Sequence, residues 1–457
     1  MRYFLFLVFL SYFLIFSKLS FARGFAYAQS ARSVQTAAFS KVITAAKPLS
    51  LKACINIAIA ENPELREAFY GVKTQKAKTG EVRSALYPNV SLFYNYTRQQ
   101  SPLGPLVSTS FGKFREEPLL LNYYRDGAEL NQLIWDGEHT ISLVKAQKAA
   151  AQSYYEQYER LIQTTAFETT QDFYAVLTSQ KLVAVAEENL KDSEENLNLV
   201  KAGFKAGLRA KSDVVFAEVP VESARLELTQ AVENLKLSIV RLNQIMGLDV
   251  RSNLILKNEL KATPYHISLE AARKIALKNR DEIKDAQSLI KSAEEELNAA
   301  RGNFSPTIGG FADYGYTDYG ANVLPGNLGW DFGLQASWSL FNGNNFNYQV
   351  KQAENQIKQE KAFLRNTRLT VTSDVQQAYL SFQSSKQALK QAEAELKKAS
   401  VNLKMVRTEY KVGVAQILNL LDAELSYIQA KSDKVTALSN YDLSIAQLKY
   451  AMGVPIP

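Results

Sequence analysis

Between Asn344 and Val412 the chain contains neither proline nor glycine, and this uninterrupted stretch limits what it can fold into. Phe382, Leu389, Leu396, Leu403 and Tyr410 recur there at every seventh position. Ser385, Ala392, Ala399 and Val406 follow the first four by three residues. A strict heptad predicts a left-handed coiled coil, and small residues in one seam let helices approach closely. The pattern appears a second time at Val176, Val183, Leu190, Leu197 and Phe204, with Ser179, Ala186, Ser193 and Val200 beside it. At ~1.5 Å per residue each helix is a rod of ~100 Å, too long for a single globular core. The rods must pack side by side.

The heptads belong to a duplication that organises the whole chain. "SLKACINIAIAENPEL" at 50–65 matches "SLEAARKIALKNRDEI" at 268–283, and "LIWDGEHT" at 133–140 matches "SLFNGNNF" at 339–346. "FKAGLRAKSDVVFAE" at 204–218 matches "YKVGVAQILNLLDAE" at 410–424, and "IMGL" at 245–248 matches "AMGV" at 451–454. Internal repeats mean repeated structural units. Each half predicts a helix starting at the N-cap serine Ser50 or Ser268 and ending before Pro88 or Pro306. Two strands follow, at 88–100 and 119–136 or at 307–319 and 328–341. A long helix then covers 139–203 or 344–411, and a shorter one returns over 212–246 or 417–452. The repeats span 49–247 and 268–457, joined by a segment at 248–267. The first has the longer loop between its strands, 101–118 against 321–327.

The strand at 328–341 alternates almost without error. Leu328, Trp330, Phe332, Leu334, Trp338 and Leu340 fall on one face, and Gly329, Asp331, Gly333, Gln335, Ser337 and Ser339 on the other. Its length suits a tilted transmembrane strand, which needs ~9–11 residues. Trp330 and Trp338 stand ~26 Å apart along such a strand, close to the spacing of the aromatic girdles of membrane barrels. The first strand repeats the pattern with Val90, Leu92, Tyr94 and Tyr96. Four strands cannot close a barrel, and an open sheet edge is not tolerated in lipid. The barrel must therefore be shared with other copies. A soluble β-sandwich on a coiled coil would explain the alternation alone.

The N-terminus reads as an export leader: Arg2, an apolar run from Tyr3 to Phe16, then small-residue cut sites at Ala28 or Ala22. Residues 1–28 form the leader and 29–48 a linker. The leader holds three of the cations, Arg2, Lys18 and Arg23, behind the formal charge of +7. The remaining lysines and glutamates are interspersed, as on a solvated helix face, and form no nucleic-acid patch. With one cysteine, Cys54, and two histidines, His139 and His266, no internal disulfide or zinc cluster is expected. No nucleophile–base pair, phosphate loop or metal-spaced ligand set appears, so neither catalysis nor a cofactor is expected. The chief alternative to a channel is a secreted coiled-coil scaffold or adhesin, which needs no lipid-facing strand.

In these paired motifs the chain resembles the TolC-like outer-membrane efflux and secretion channels, from about Leu49 to the end. The resemblance implies an α+β membrane protein and a homotrimer: twelve strands forming one outer-membrane barrel, and antiparallel coiled-coil helices forming a periplasmic tunnel. It implies a periplasmic adaptor and an inner-membrane pump as partners. In such channels an Asp-x-x-Asp pair rings the periplasmic aperture; here the positions hold Asn419 and Asp422, with Asp213 as the first-repeat counterpart of Asn419. One acid in place of two weakens cation attraction, and Asp422 reads equally well as a solvated helix acid. Ala415 stands where some members carry a gate-locking arginine, and Arg209 lies in the equivalent first-repeat turn. The hairpin tips, with Lys205, Gly207, Arg209, Lys211, Lys411 and Gly413, are candidates for adaptor contact. Their cations equally suit the dipoles at helix C-termini.

Overall fold

The computed structural model describes residues 48–100, 106–115, 120–257, 260–319 and 328–456. The leader with its cut sites at Ala22 and Ala28, and nearly all of the 29–48 linker, lie outside them. Each repeat contributes two short helices, two long strands, one very long helix and one return helix. In the first these are α1 (Leu51–Glu61), α2 (Pro63–Ser84), β1 (Asn89–Gln100), β4 (Leu120–Trp135), α3 (His139–Lys205) and α4 (Lys211–Ile245). In the second they are α5 (Leu269–Asn279), α6 (Asp281–Gly302), β5 (Thr307–Tyr319), β6 (Leu328–Ser337), α7 (Asn345–Lys411) and α8 (Ile417–Ala451). The first-repeat loop also folds a hairpin, β2 (Leu106–Thr109) with β3 (Gly112–Arg115), where the sequence suggests only a connection.

Two expectations are corrected. The single helix expected from Ser50 to Pro88 is broken at Asn62, whose backbone is extended (φ −60°, ψ 123°) because a residue before proline avoids helical ψ. Its Oδ1 accepts from the Glu64 N–H at 2.8 Å and so caps α2. The second repeat breaks alike at Arg280 (φ −62°, ψ 125°), with no proline to cause it. The strand expected over 328–341 ends at Ser337, so Trp338 and Leu340 lie beyond it. Ser337 pairs with Thr307, and Pro306 has no N–H to extend the ladder.

The four long strands form one antiparallel sheet in the order β1-β4-β5-β6. Each strand is joined directly to a helix, and the helices follow the same order: α2 packs on α3, α3 on α6, and α6 on α7. Two consecutive left-handed residues make each strand-to-helix turn, Gly137 with Glu138 and Gly343 with Asn344. A side chain at Gly137 would come within 2.6 Å of the Gly302 carbonyl, so the junction also requires its bareness. Asp136 then caps α3 by accepting from the Thr140 N–H at 2.9 Å.

Farther from the sheet, α3 pairs with α4, α7 with α8, and α8 leans on α3. Each repeat has its own core, one around Phe173, Val176, Leu242 and Met246, the other around Val375, Phe382, Tyr441 and Leu448. Cys54 is buried in the first. A third core at the far end joins the two hairpins through Val200, Ala217, Leu403, Tyr410, Ile417 and Leu420.

Candidate functional site

The two faces of the sheet differ in chemistry, rung by rung. One carries Val90, Leu130, Ala312 and Phe332 in register, and next to them Leu92, Ala128, Tyr314 and Trp330. Leu328, Trp330, Phe332 and Leu334 all project from it into the open. The next rung of this face holds an acid, Asp126, set between Tyr94 and Tyr316. Trp338, just past the strand, donates from Nε1 to the Phe304 carbonyl at 2.9 Å, and Leu340 is exposed. The opposite face carries Ser91, Glu129, Asp313 and Asp331 in one rung and Asn95, Arg125 and Thr317 in another.

At the far end both long helices stop in the same way. Gly207 and Gly413 are left-handed (φ 73° and 83°), and the N–H groups of Leu208 and Val414 return to the carbonyls of Gly203 and Glu409, both at 2.9 Å. This satisfies the last carbonyls of each helix. Lys205, Lys211 and Lys411 are exposed around these turns. Arg209 is engaged: its guanidinium lies 4.2 Å from the Tyr410 ring centre and donates to the Tyr410 carbonyl at 3.1 Å. It thereby ties the first hairpin to the second. Asp213 and Asn419 occupy equivalent first-turn positions, their N–H groups meeting the carbonyls of Ala210 and Gln416. Asn419 and Asp422 are exposed, opposite the buried Leu420 and Ala423.

Sequence reasoning missed a charged seam between the hairpins. Arg407 of α7 lies 3.0 Å from Glu424 and 3.4 Å from Asp192 of α3. Asn196 donates to Glu424, and Lys431 pairs with Glu188. Burial pushes the Glu424 carboxyl above its ordinary range, against the bonds from Arg407 and Asn196. A second missed centre is Arg280, which reaches Glu282 at 2.8 Å and Asp374 at 2.9 Å while almost wholly buried. Only the repeat alignment, placing a charge where the first half has Asn62, hinted at it. His139 binds the Ala299 carbonyl at 2.8 Å, and His266 is exposed. Among the described residues no group of three or more His, Cys, Asp or Glu is placed to hold a metal, and no helix is long and apolar enough to cross a membrane.

Two coiled-coil hairpins, one from each repeat, on a shared two-faced sheet accompany a match to one family along most of the chain. The profile described as outer membrane efflux protein matches residues 54–248 and 272–454. The chain belongs to that family. It is 23% identical over 408 residues to the protein CyaE of Bordetella pertussis, covering 88% of this chain and 82% of that one. It is 24% identical over 404 residues to the outer membrane protein TolC of Escherichia coli K12, covering 86% and 80%. The fold matches the CmeC outer membrane channel of Campylobacter jejuni with a TM-score of 0.75, at 17% identity over 88% of this chain and 85% of that one. The protein is thus an outer-membrane efflux channel with a large periplasmic helical part, in a family of channels and not of enzymes. The scaffold or adhesin reading falls with this result.

Proposed function

We propose that three copies of the chain close one twelve-stranded barrel in the outer membrane, extended by their helices into a periplasmic tunnel. The tunnel would serve as the exit duct for an inner-membrane pump, of the efflux or type I secretion kind, through a periplasmic adaptor. The observation that carries this reading is the shared order of strands and helices. It leaves open edges on the same two sides, β1 with α2 and β6 with α7. Unpaired strand edges in lipid must be closed by another chain. The edge helices expose apolar side chains, among them Phe69 on α2 and Leu369 on α7, at 41% and 63% of their surfaces.

In this reading the face of Leu328, Trp330, Phe332 and Leu334 meets lipid, with Trp338 and Leu340 at the membrane boundary. Lys205, Gly207, Lys211, Lys411 and Gly413 form the adaptor-facing tips, while Arg209 is committed to Tyr410. Asn419 and Asp422 border the aperture, with Asp213 in the first hairpin, so three copies would present three Asp422 carboxylates. Purified mature protein in a planar bilayer should give discrete, long-lived conductance steps. Protein that stays monodisperse without detergent and never conducts would overturn the proposal.

A further inference from the structure

The polar face of the sheet has one rung with almost no side chains. Gly127, Gly315 and Gly329 stand opposite one another across β4, β5 and β6, with Phe93 completing the rung on β1. The bareness is enforced: a Cβ on Gly127 would fall 2.5 Å from the Tyr314 carbonyl oxygen, and one on Gly315 would run into the Asp126 carbonyl. One step to one side lies the rung of Glu129, Asp313 and Asp331. One step to the other lies Arg125. The guanidinium of Arg125 crosses the bare rung, with its centre 4.9 Å from the Phe93 ring, and reaches Asp313 at 3.9 Å.

A flexible arginine in an open pore would sample many positions. Here the glycines leave a trough, the Phe93 ring supplies a cation–π floor and Asp313 a charge at the far end. Arg125 is therefore held along the wall. It offsets one of three carboxylates in the facing rung and leaves Glu129 and Asp331 to set the sign of the local field. Glu129 keeps its place by accepting from Asn131 Nδ2 at 2.8 Å.

We infer that Arg125 is a specificity-determining residue of the channel: its fixed cation moderates a carboxylate rung in the barrel lumen and so tunes the preference for cations over anions. The inference rests on the proposed barrel, in which this face lines the lumen. Rings of fixed charge act on permeating ions through their summed field, and three copies would multiply both signs equally.

The test is the reversal potential of single channels under a KCl gradient, at ionic strength low enough to limit screening. Arg125→Gln should raise the cation-to-anion permeability ratio about twofold, and Glu129→Gln combined with Asp331→Asn should lower it by a similar factor. Arg125→Lys, which keeps the charge and loses the fork, should stay near the parent value. A parent protein that never conducts would break the proposed function itself. Conducting Arg125→Gln channels with the parent's reversal potential would overturn this inference and reduce Arg125 to a strand clamp. If Arg125→Gln yields no channels, Arg125→Met, which also removes the charge, decides by the same criterion.

Discussion

The two repeats share one order of elements, yet they fix corresponding points by different chemistry. At the helix break the first repeat uses Asn62, a neutral amide that caps α2 and donates to the Ile245 carbonyl at 2.9 Å. The second uses Arg280, which donates to the Ala451 carbonyl at 3.2 Å and gathers Glu282 and Asp374 around a buried charge. At the hairpin tip Phe204 is 43% exposed, whereas its counterpart Tyr410 is 2% exposed beneath Arg209. Duplication preserves the path of the backbone, while the side chains at these two points have diverged, from a neutral amide and an exposed ring to a buried cation and a covered ring. That asymmetry makes the second hairpin dependent on the first.

The largest expected difference lies at the helix break. Arg280→Ala removes the buried guanidinium between Glu282 and Asp374, but Glu282 keeps Arg160 at 2.8 Å and Asp374 is 40% exposed. The loss should therefore be ~2–3 kcal/mol, the range for hydrogen bonds to a charged group. Asn62→Ala removes a cap and should cost ~1 kcal/mol. Thermal unfolding of the detergent-solubilised protein measures both, and equal losses would mean that the buried charge holds its break no more firmly than the amide holds the other. The tip glycines should instead behave alike. Gly207→Ala and Gly413→Ala each force a left-handed side chain into open space, at ~1–2 kcal/mol from backbone strain alone. Unequal losses would mean that the tips differ in backbone as well as in side chains.

A third difference depends on pH. Asp442 of α8 is buried against the 260–267 segment, where its carboxylate accepts from the Lys261 N–H, and burial raises its pKa to about 7. The folded state therefore holds this proton more tightly than the unfolded chain, whose carboxyl titrates near the ordinary value. Stability should fall as pH rises from about 4 to about 7 and then level off. Asp442→Asn should reduce that fall and leave the smaller part due to other buried carboxyls such as Glu424, as seen in melting temperatures at pH 5 and pH 8. The first-repeat counterpart is Lys236, a surface residue paired with Glu233, so no matching effect is expected there. The smallest change is expected from Arg209→Ala. It should speed hydrogen exchange over 408–415 by opening the cover on Tyr410, and leave the Gly207 turn nearly unchanged.

Much of this was legible in the chain. Phe382, Leu389 and Leu403 are buried as their heptad spacing requires, and the alternation of 328–337 became a strand with chemically distinct faces. The break at Asn62 was readable from Pro63 but was outweighed by helical periodicity on both sides. The end of β6 was not readable from β6 itself, because Pro306 on the partner strand sets it. Arg280 and Arg407 were hidden for a related reason. Their partners Asp374 and Asp192 are distant in sequence, and spacing along one helix says nothing about which charge a neighbouring helix will present. Arg209 looked like a free tip cation until the fold brought Tyr410 beneath it.

Whether other copies of the chain close the edges β1 with α2 and β6 with α7 is visible in single-particle electron microscopy of the protein extracted from the outer membrane. The expected particle is threefold, with β6 of each copy paired to β1 of the next around twelve strands. A sheet closed within one chain, or a different number of copies, would contradict the shared barrel.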